Sequence, residues 1–263
     1  MTIPASKLAV TVKTIAISAA PYLAVIAFWQ LLSELNLWPR VLFPSPSEVF
    51  LAFAQDLRSG VLLVDLAASL KSLALGFIAG AGLALPLSYL MGLHRRSRDF
   101  FDPIINLIQA IPGLAWIPFA ILWFGLGQGA VTFIVAMSVF FPILYSVLTA
   151  IRLVQPVLIE ATQTLGGNRK DIIVHVIFPA TLPNLITGIR LGVSFGFRSL
   201  VGGEMIASTE GIGYAIFNAQ QYFQSARIVV GMLAIGITWL IIDRLLLRPI
   251  ENRTVFKWGM VRD

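Results

Sequence analysis

The feature that most limits the fold of this chain is a run of 49 residues, 103–151, without one aspartate, glutamate, lysine or arginine. A helix needs about 20 apolar residues to cross the hydrocarbon core of a bilayer, so the run is too long for a single span. The sequence GLGQG at residues 125–129 predicts a break between two spans. A run of this kind is typical of a protein that lies in a membrane.

Four further stretches carry few or no charges, at residues 14–33, 72–93, 183–205 and 228–247. Only 12% of all residues are charged, whereas soluble domains contain about 25%. No segment alternates apolar and polar residues with the period of two that β-barrel strands require. We therefore expect an all-α integral membrane protein with about six transmembrane helices, in a single transmembrane domain that covers residues 1–263 and has its core at about 65–250.

Basic residues are distributed unequally between the two sides of the predicted membrane. If both termini are cytoplasmic, the outer segments contain only Arg40, Arg58 and Arg227. The cytoplasmic segments then contain Lys7, Lys13, Arg95, Arg96, Arg98, Arg152, Arg169, Lys170, Arg244, Arg248, Arg253, Lys257 and Arg262. This distribution follows the positive-inside rule. It explains the net charge of +6 without a nucleic-acid partner, and it predicts a multi-pass protein with both termini in the cytoplasm.

The predicted third span contains Pro112 and Pro118, in the sequence IQAIPGLAWIPFAILWFGLG. Each proline removes a helix hydrogen bond. Such breaks are tolerated in lipid where neighbouring helices or a cavity satisfy the freed carbonyl groups. The break is therefore either a kink that serves packing or a part of a pore lining.

The longest cytoplasmic segment, residues 155–180, predicts two short helices joined by a turn, and we call this segment the elbow. The first helix should end at Gly166 and Gly167, and Asn168 should cap the second, which Pro179 should end. Each helix has an apolar side, formed by Leu158, Ala161 and Leu165 in the first and by Ile172, Ile173, Val176 and Ile177 in the second. The elbow therefore either binds a partner at the cytoplasmic face or lies on the lipid headgroups as an amphipathic surface helix.

The elbow resembles the EAA loop of permease subunits from bacterial ATP-binding-cassette (ABC) importers. Four positions match that motif, namely Glu160, Ala161, Gly166 and Pro179, and three depart from it mildly, namely Thr162, Val176 and Phe178. The segments LFPSPSEVF, AIPGLAWIPFAILWFGLG, GGEMIAS and GIGYAI look like the branch of the family that takes up nitrate, sulfonates, taurine and bicarbonate. The resemblance implies a type I ABC importer permease fold in the bacterial inner membrane.

In that family the elbow is the coupling helix that docks on the cytoplasmic ATPase. By this resemblance Glu160 would pair with a basic residue of the ATPase, Gly166 would allow the tight turn, and the apolar side around Ile172 and Ile177 would be the packed contact. The chain contains no G-x-x-x-x-G-K-[ST] sequence and hence no P-loop of its own. We therefore expect no catalytic residues and no cofactor in this chain, with ATP and magnesium bound by the partner.

The resemblance also implies a set of partners. These are two ATPase subunits, an extracytoplasmic substrate-binding protein, a second copy of the permease and membrane lipid. Two ATPase subunits that close together need one elbow each, and one permease chain has one elbow. Closed two-fold symmetry is the most common arrangement of two identical chains. We therefore expect a homodimer.

The predicted fifth span has one polar face and one glycine face. The polar face contains Arg190, Ser194 and Arg198, and Glu204 follows near the end of the span. The glycine face contains Gly188, Gly192, Gly196 and Gly203, and such spacing lets helices approach closely in lipid. Charges inside a membrane usually face a cavity or a partner. The four polar residues therefore either line a translocation path that favours an anion, or Arg198 and Glu204 form a structural ion pair.

The transported solute is expected to be a small anion such as a sulfonate, taurine, nitrate or bicarbonate, with a neutral vitamin precursor as the alternative. A secondary transporter or channel would usually show repeated halves or acidic sites near the midplane. A membrane enzyme would need a nucleophile with its base, and the two histidines, His94 and His175, lie apart and outside the spans. For the same reason we expect no metal site.

Overall fold

The computed structural model describes residues 20–21, 23–35 and 37–251 of the chain. Within these residues the protein is helical throughout and contains no strand, which confirms the predicted all-α class. Five of the basic residues used to predict the topology, Lys7, Lys13, Arg253, Lys257 and Arg262, lie outside the described residues.

The helices follow one another with short connections. In the first half they are α1 (Leu23–Glu34), α2 (Pro46–Arg58), α3 (Val61–Leu93), α4 (Arg95–Gln109), a 3₁₀ turn (Gly113–Trp116), α5 (Ile117–Phe124) and α6 (Gln128–Arg152). In the second half they are α7 (Pro156–Thr164), α8 (Arg169–Asp171), a π-helical turn (Ile172–Ile177), α9 (Phe178–Ala207), α10 (Ile212–Gln221), α11 (Ser225–Ile242), a second π-helical turn (Asp243–Leu247) and α12 (Arg248–Glu251).

In the described part of the chain, four helical stretches are long and apolar enough to cross a membrane. They are Val61–Leu93, Gln128–Arg152, Arg169–Ala207 and Ser225–Glu251. The third predicted span is broken, because α4 and the helical stretch Gly113–Phe124 meet at an angle of 89°. The pair would be a fifth span if it crosses as one unit. The first predicted span, residues 14–33, begins outside the described residues, and its described part is the shorter apolar helix α1.

The chain forms two compact units. The smaller one contains residues 20–62 of the described chain together with Ile216–Leu233. Its apolar core is formed by Val49, Ala52 and Val230, and an ion pair of 3.3 Å joins Arg227 to Asp56. The larger unit contains Leu63–Ala215 and residues 234–251, and it holds every site described below.

Helix α6 is the centre of the larger unit. Residues on several of its sides are fully buried, among them Val131, Ile134, Val139 and Ile143. The helices α3 and α9 approach it through glycines. A Cβ atom on Gly80 of α3 would lie 2.5 Å from the carbonyl oxygen of Ala136 in α6.

The glycines of α9 are packed in the same way, as the sequence predicts. A Cβ atom on Gly188 would lie 2.6 Å from the Cβ atom of Ser146, and one on Gly196 would lie 2.8 Å from Cγ2 of Val139. Distances below 3 Å are shorter than real carbon contacts, so no larger residue fits at these positions without a shift of α6. Close approach increases the dispersion contacts that hold helices together in lipid, where the hydrophobic effect between helices is absent.

The glycine contacts give a direct test on α3, where a matched control is available. Gly80→Ala should lower the free energy of unfolding by about 1–3 kcal/mol, because the added methyl group meets the backbone of α6. Gly82→Ala adds the same methyl group on the same helix, where nothing lies within 4 Å, and should leave the stability unchanged or slightly raised. Thermal unfolding of the purified protein in detergent measures both, and equal effects of the two substitutions would contradict the packing described.

Candidate functional site

The turn of the elbow is formed by two glycines with different roles. Helix α7 ends at Thr164, and Gly166 then has a φ of +80°, a backbone conformation that side chains with a Cβ atom rarely adopt. Gly167 is needed for space, since a Cβ atom there would lie 2.6 Å from Cγ2 of Thr162. The predicted end of the first helix is therefore confirmed.

The second helix of the elbow begins with a reciprocal cap. The side-chain oxygen of Asn168 accepts hydrogen bonds from the backbone N–H groups of Lys170 and Asp171, at 2.8 and 3.1 Å. In return the carboxylate of Asp171 accepts a hydrogen bond of 2.9 Å from the backbone N–H of Asn168. This capping box satisfies the first donors of the helix, and it confirms the predicted role of Asn168.

The prediction that Pro179 ends this second helix is wrong. The helix continues through the π-helical turn into α9, so that Arg169–Ala207 is one uninterrupted helix of 39 residues. Pro179 lies in the first turn of α9. In the π-helical turn before it, the N–H group of Phe178 donates to the carbonyl of Ile173, five residues earlier. The hydrogen-bond register is therefore already shifted from i−4 to i−5 when the chain reaches Pro179, which has no N–H donor. The second half of the elbow is therefore continuous with a predicted transmembrane helix.

The apolar surface that the elbow exposes lies on a different helix from the one predicted to form the packed contact. Ile172 and Ile177 are buried inside this chain and cannot also form the packed contact with a partner. Helix α7 instead has no buried residue, and the apolar side predicted for it is exposed. Leu165 has 89% of its surface exposed, and Leu158 has 47%. Ala161 and Glu160 are exposed on the same helix, and the Glu160 carboxylate forms no ion pair with any residue of the described chain.

A cavity of about 530 Å³ lies where the third predicted span is broken, and we call it the central cavity. Its walls come from the break itself, from α6 and from α9. The lining residues are Gln109, Ile111, Pro112, Gly113, Trp116, Met137, Ser138, Phe141, Pro142, Tyr145, Ser146, Leu191, Phe195 and Ser199. The break at Pro112 therefore opens a cavity wall, which favours the pore-lining interpretation over a kink that only serves packing.

The polar groups of the central cavity are neutral. The hydroxyl groups of Ser138 and Ser199 are 2.7 Å apart and join α6 to α9. The phenol of Tyr145 donates a hydrogen bond of 2.7 Å to the side-chain oxygen of Asn106. The indole nitrogen of Trp116 is buried and has no hydrogen-bond partner among the described residues. A buried donor without a partner is costly, which distinguishes this N–H group from the other polar groups of the cavity residues.

None of the four residues predicted to form the path, Arg190, Ser194, Arg198 and Glu204, lines this cavity. Arg190 is instead part of an ion-pair network near the end of the described chain. Its guanidinium contacts the carboxylate of Asp243 at 3.1 Å and also that of Glu251, and Arg248 contacts Asp243 at 2.7 Å. Arg190 therefore ties α9 to the residues that follow α11, and its part in a path stays a prediction.

Glu204 is also held by structural contacts, and we call its surroundings the Glu204 cluster. The side chain is 1% exposed. Its carboxylate accepts a hydrogen bond of 2.9 Å from the hydroxyl of Ser69 and one of 2.8 Å from the backbone N–H of Gly213. Ser69 in turn accepts a hydrogen bond of 2.9 Å from the backbone N–H of Ile212. The cluster fixes the loop between α9 and α10 to α3.

The glycines of this loop are required by the same contacts. A Cβ atom on Gly211 would lie 2.5 Å from the carboxyl carbon of Glu204, and Gly211 has a φ of +107°. A Cβ atom on Gly213 would lie 2.5 Å from the carbonyl oxygen of Val201. The sequence GGEMIAS followed by GIGYAI therefore encodes an acid that packs against Gly211 and accepts a hydrogen bond from Gly213.

The structural ion pair between Arg198 and Glu204 is absent from the described chain. Arg198 is exposed, and it has no ion pair and no hydrogen bond within the described residues. Its neighbour Ser199 lines the central cavity, and so does Phe195, one helical turn earlier. Ser194 is half-buried on the same helix. Arg198 and Ser194 thus lie beside the cavity, and their part in a path stays a prediction.

The residues of the central cavity that the sequence argument missed are Trp116, Ser138 and Ser199. They carry no charge and follow no helical pattern, and only the fold brings them together. The prolines of the third span were the one signal in the sequence that pointed to them. Among the described residues there is no group of histidine, cysteine, aspartate or glutamate side chains that could hold a metal ion.

Comparison with known proteins places these features in a family. Residues 73–246 match the model of the family described as binding-protein-dependent transport system inner membrane component. A putative aliphatic sulfonates transport permease protein, SsuC, of Bacillus subtilis (strain 168) is 33% identical over 89% of this chain and 84% of that protein. The taurine transport system permease protein TauC of Escherichia coli (strain K12) is 30% identical over 92% of this chain and 89% of that protein.

A solved structure has a similar fold. It is that of the MetNI methionine ABC transporter in inward-facing conformations, with a TM-score of 0.56 and 19% sequence identity. The match covers 70% of this chain and 93% of the compared chain. At this identity the likeness shows the fold alone, and it agrees with the predicted importer-permease fold.

The Glu204 cluster predicts how the loop between α9 and α10 is held. Glu204→Ala should lower the free energy of unfolding by about 1–3 kcal/mol, because a buried hydroxyl and a buried N–H group lose their acceptor. It should also raise the rate of amide hydrogen exchange at Ile212 and Gly213. Glu210→Ala removes an exposed carboxylate from the same loop and serves as the control. Unchanged exchange at both amides in the Glu204→Ala variant would contradict the role given to the cluster.

Proposed function

Because this chain belongs to the family of binding-protein-dependent transport system inner membrane components, we propose that it is the membrane-spanning subunit of an ATP-driven importer of small oxyanions. It is an ABC-type permease. We propose the solute, the direction of transport and the energy source. The chain would pass the solute from an extracytoplasmic binding protein into the cytoplasm, and a separate ATPase would supply the energy.

One observation carries this proposal. The helix that begins in the elbow at Arg169 is the same helix that forms a wall of the central cavity through Leu191, Phe195 and Ser199. Ser199 lies 30 residues beyond Arg169, which is about 45 Å along a helix. A force on the second half of the elbow can therefore reach the cavity along one helix, with no loop between Arg169 and the cavity wall.

The exposed side of α7 is the surface that we assign to the ATPase. Leu158, Ala161 and Leu165 provide its apolar part, Glu160 provides a charge that has no ion-pair partner among the described residues, and Gly166 sets the turn. Contiguous exposed apolar residues with a polar rim are typical of protein interfaces. ATP and magnesium would be bound by the ATPase. In a homodimer of the permease, two elbows would meet two ATPase subunits.

The orientation of the chain rests on the distribution of its basic residues. The start of α4, the end of α6 and the elbow carry arginines and lysines, and the positive-inside rule places them in the cytoplasm. The protein would then lie in a bacterial inner membrane with both termini inside. The binding protein would dock on the opposite face.

The chemistry of the central cavity supports a solute with acceptor oxygens. The N–H group of Trp116 and the hydroxyl groups of Ser138 and Ser199 can donate to a sulfonate or a nitrate without the strong binding that a fixed cation would cause. Solutes must leave a path as well as enter it. The names of the compared permeases, which refer to aliphatic sulfonates and taurine, point in the same direction. The second candidate is an uncharged solute, since none of the described residues that line the cavity is charged.

The elbow surface can be tested by co-purification with the ATPase. Leu165→Asp puts a charge on the exposed apolar side of α7, and Gly166→Val puts a β-branched residue at a φ of +80°. Each should weaken binding of the ATPase by about tenfold or more, as removal of a central interface contact usually does. The measurement is the amount of ATPase that co-purifies with the tagged permease.

The control for this test is Leu37→Asp, which changes an exposed leucine that the predicted topology places on the other side of the membrane. It should leave the co-purified amount unchanged. Wild-type binding by both elbow variants, together with wild-type uptake, would overturn the assignment of α7 to the ATPase.

The role of the central cavity can be tested by removing one donor. Trp116→Phe keeps an aromatic ring but removes the indole N–H group. If this group binds an anionic solute, ATP-dependent uptake of taurine or of an alkanesulfonate into vesicles should fall about tenfold, the effect of one hydrogen bond to a charged group. ATP hydrolysis and the melting temperature should stay close to those of the wild type.

Trp123→Phe is the matched control, since Trp123 is 55% exposed and does not line the cavity. Equal uptake by the Trp116→Phe variant and the wild type would remove this donor from the path. Uptake of an uncharged solute, with none of either anion, would favour the second candidate.

A further inference from the structure

A second cavity, of about 340 Å³, lies between α3, α4 and α6, and we call it the apolar groove. All of its lining residues are apolar, and they include Leu83, Leu87, Phe101, Ile104, Ile108 and Phe140. Leu83 is 67% exposed and Ile104 is 43% exposed, so the groove is open along its side. In a membrane this opening faces either lipid or another apolar surface, because an apolar groove offers water no hydrogen-bond partners.

One end of the groove approaches a cluster of cations at the corner between α3 and α4. Helix α3 ends at Leu93, and α4 begins with Arg95, Arg96 and Arg98. Arg98 lies three residues before the groove residue Phe101, and side chains at this spacing share a helix face. The guanidinium of Arg169 adds a further cation, at 3.3 Å from the ring of His94.

The acidic residues at this corner leave the arginines largely free. Asp99 lies 3.7 Å from Arg95 and 4.0 Å from Arg98, and both contacts are partly exposed. Such pairs contribute little to stability. Asp102 lies close to Asn106, at 3.5 Å. The corner therefore keeps an excess of positive charge with unused N–H donors, which suits a phosphate group.

The length of the groove matches one leaflet of a bilayer. Arg98 and Ile108 are ten residues apart on α4, which is about 15 Å along the helix. The hydrocarbon core of a bilayer is about 30 Å thick, so one leaflet contributes about half of that. A headgroup at Arg98 would place its acyl chain along the groove, with the chain end near the middle of the membrane.

We propose that the apolar groove between α3, α4 and α6 binds an acyl chain of an anionic phospholipid whose phosphate contacts Arg98 and its neighbouring arginines. The arginines at one end of the groove complement the phosphate, and the apolar groove has the length of an acyl chain in one leaflet. A free phosphate would not fill the groove, and an uncharged lipid would not use the arginines. Met137 and Phe141 line both this groove and the central cavity, so the bound chain would lie directly behind the cavity wall.

The test uses the full-length protein, purified in detergent and mixed with dioleoyl phosphatidylglycerol or dioleoyl phosphatidylcholine. Native mass spectrometry measures the lipid that each protein retains. Ile104→Trp should fill the groove, and Arg98→Gln should remove the main cation. Arg98→Gln should reduce retention of phosphatidylglycerol about fivefold, the contribution of one arginine at an anionic surface. Ile104→Trp should also reduce it, because the indole occupies the space of the acyl chain. Retention of phosphatidylcholine should be low throughout.

Two matched controls separate the site from general effects. Leu107→Trp adds the same bulk on α4 at a residue that is 71% exposed and does not line the groove. Arg244→Gln removes the same charge from an exposed arginine at the end of α11. Both should retain phosphatidylglycerol as the wild type does. Equal retention of the two lipids, or no loss of retention in either site variant, would overturn the proposal. Dissociation of a dimer by Ile104→Trp with unchanged lipid retention would also overturn it, because a second copy would then occupy the groove.

Discussion

The close approach of α3 and α9 to α6 is the contact on which the rest of the larger unit depends. In lipid there is little hydrophobic gain when one apolar helix meets another, so close packing must hold the helices together. Glycines at the contacts let their helices approach α6 closely, against its backbone at Gly80 and against a side chain at Gly188. This packing fixes α9 against α6 and therefore fixes the wall they share around the central cavity. It also leaves the other side of α9 available for polar residues.

Helix α9 is continuous with the second half of the elbow, and the proposed coupling depends on this continuity. The π-helical turn shifts the hydrogen-bond register just before Pro179, which has no N–H donor, so the helix continues past the proline. The Glu204 cluster holds the far end of the same helix to α3. The network around Asp243 ties its middle to the last described residues of the chain. In the proposed mechanism, a displacement of the elbow would reach the central cavity through a helix that is anchored at several points.

Features that depend on residues close together in the sequence could be predicted from the sequence alone. Capping by Asn168 and the turn at Gly166 depend on residues next to each other, and the glycine face of α9 depends on helical spacing. Contacts between distant residues were not predictable in this way. The partners of Arg190 lie 53 and 61 residues away, and the helix prolonged past Pro179 depends on a local change of register. Neutral cavity residues such as Trp116, Ser138 and Ser199 leave no pattern in the sequence.

The central claim is that the elbow controls access to a cavity that the transported anion occupies. The chain contains no cysteine, so Ser199→Cys introduces a single thiol in the cavity wall. Its rate of reaction with a negatively charged methanethiosulfonate can be measured in vesicles that contain the ATPase and the binding protein. The claim predicts a rate that changes with the nucleotide on the ATPase, that falls when the transported anion is present, and that loses its nucleotide dependence when Gly166→Val is added. The same rate in every nucleotide state would contradict it.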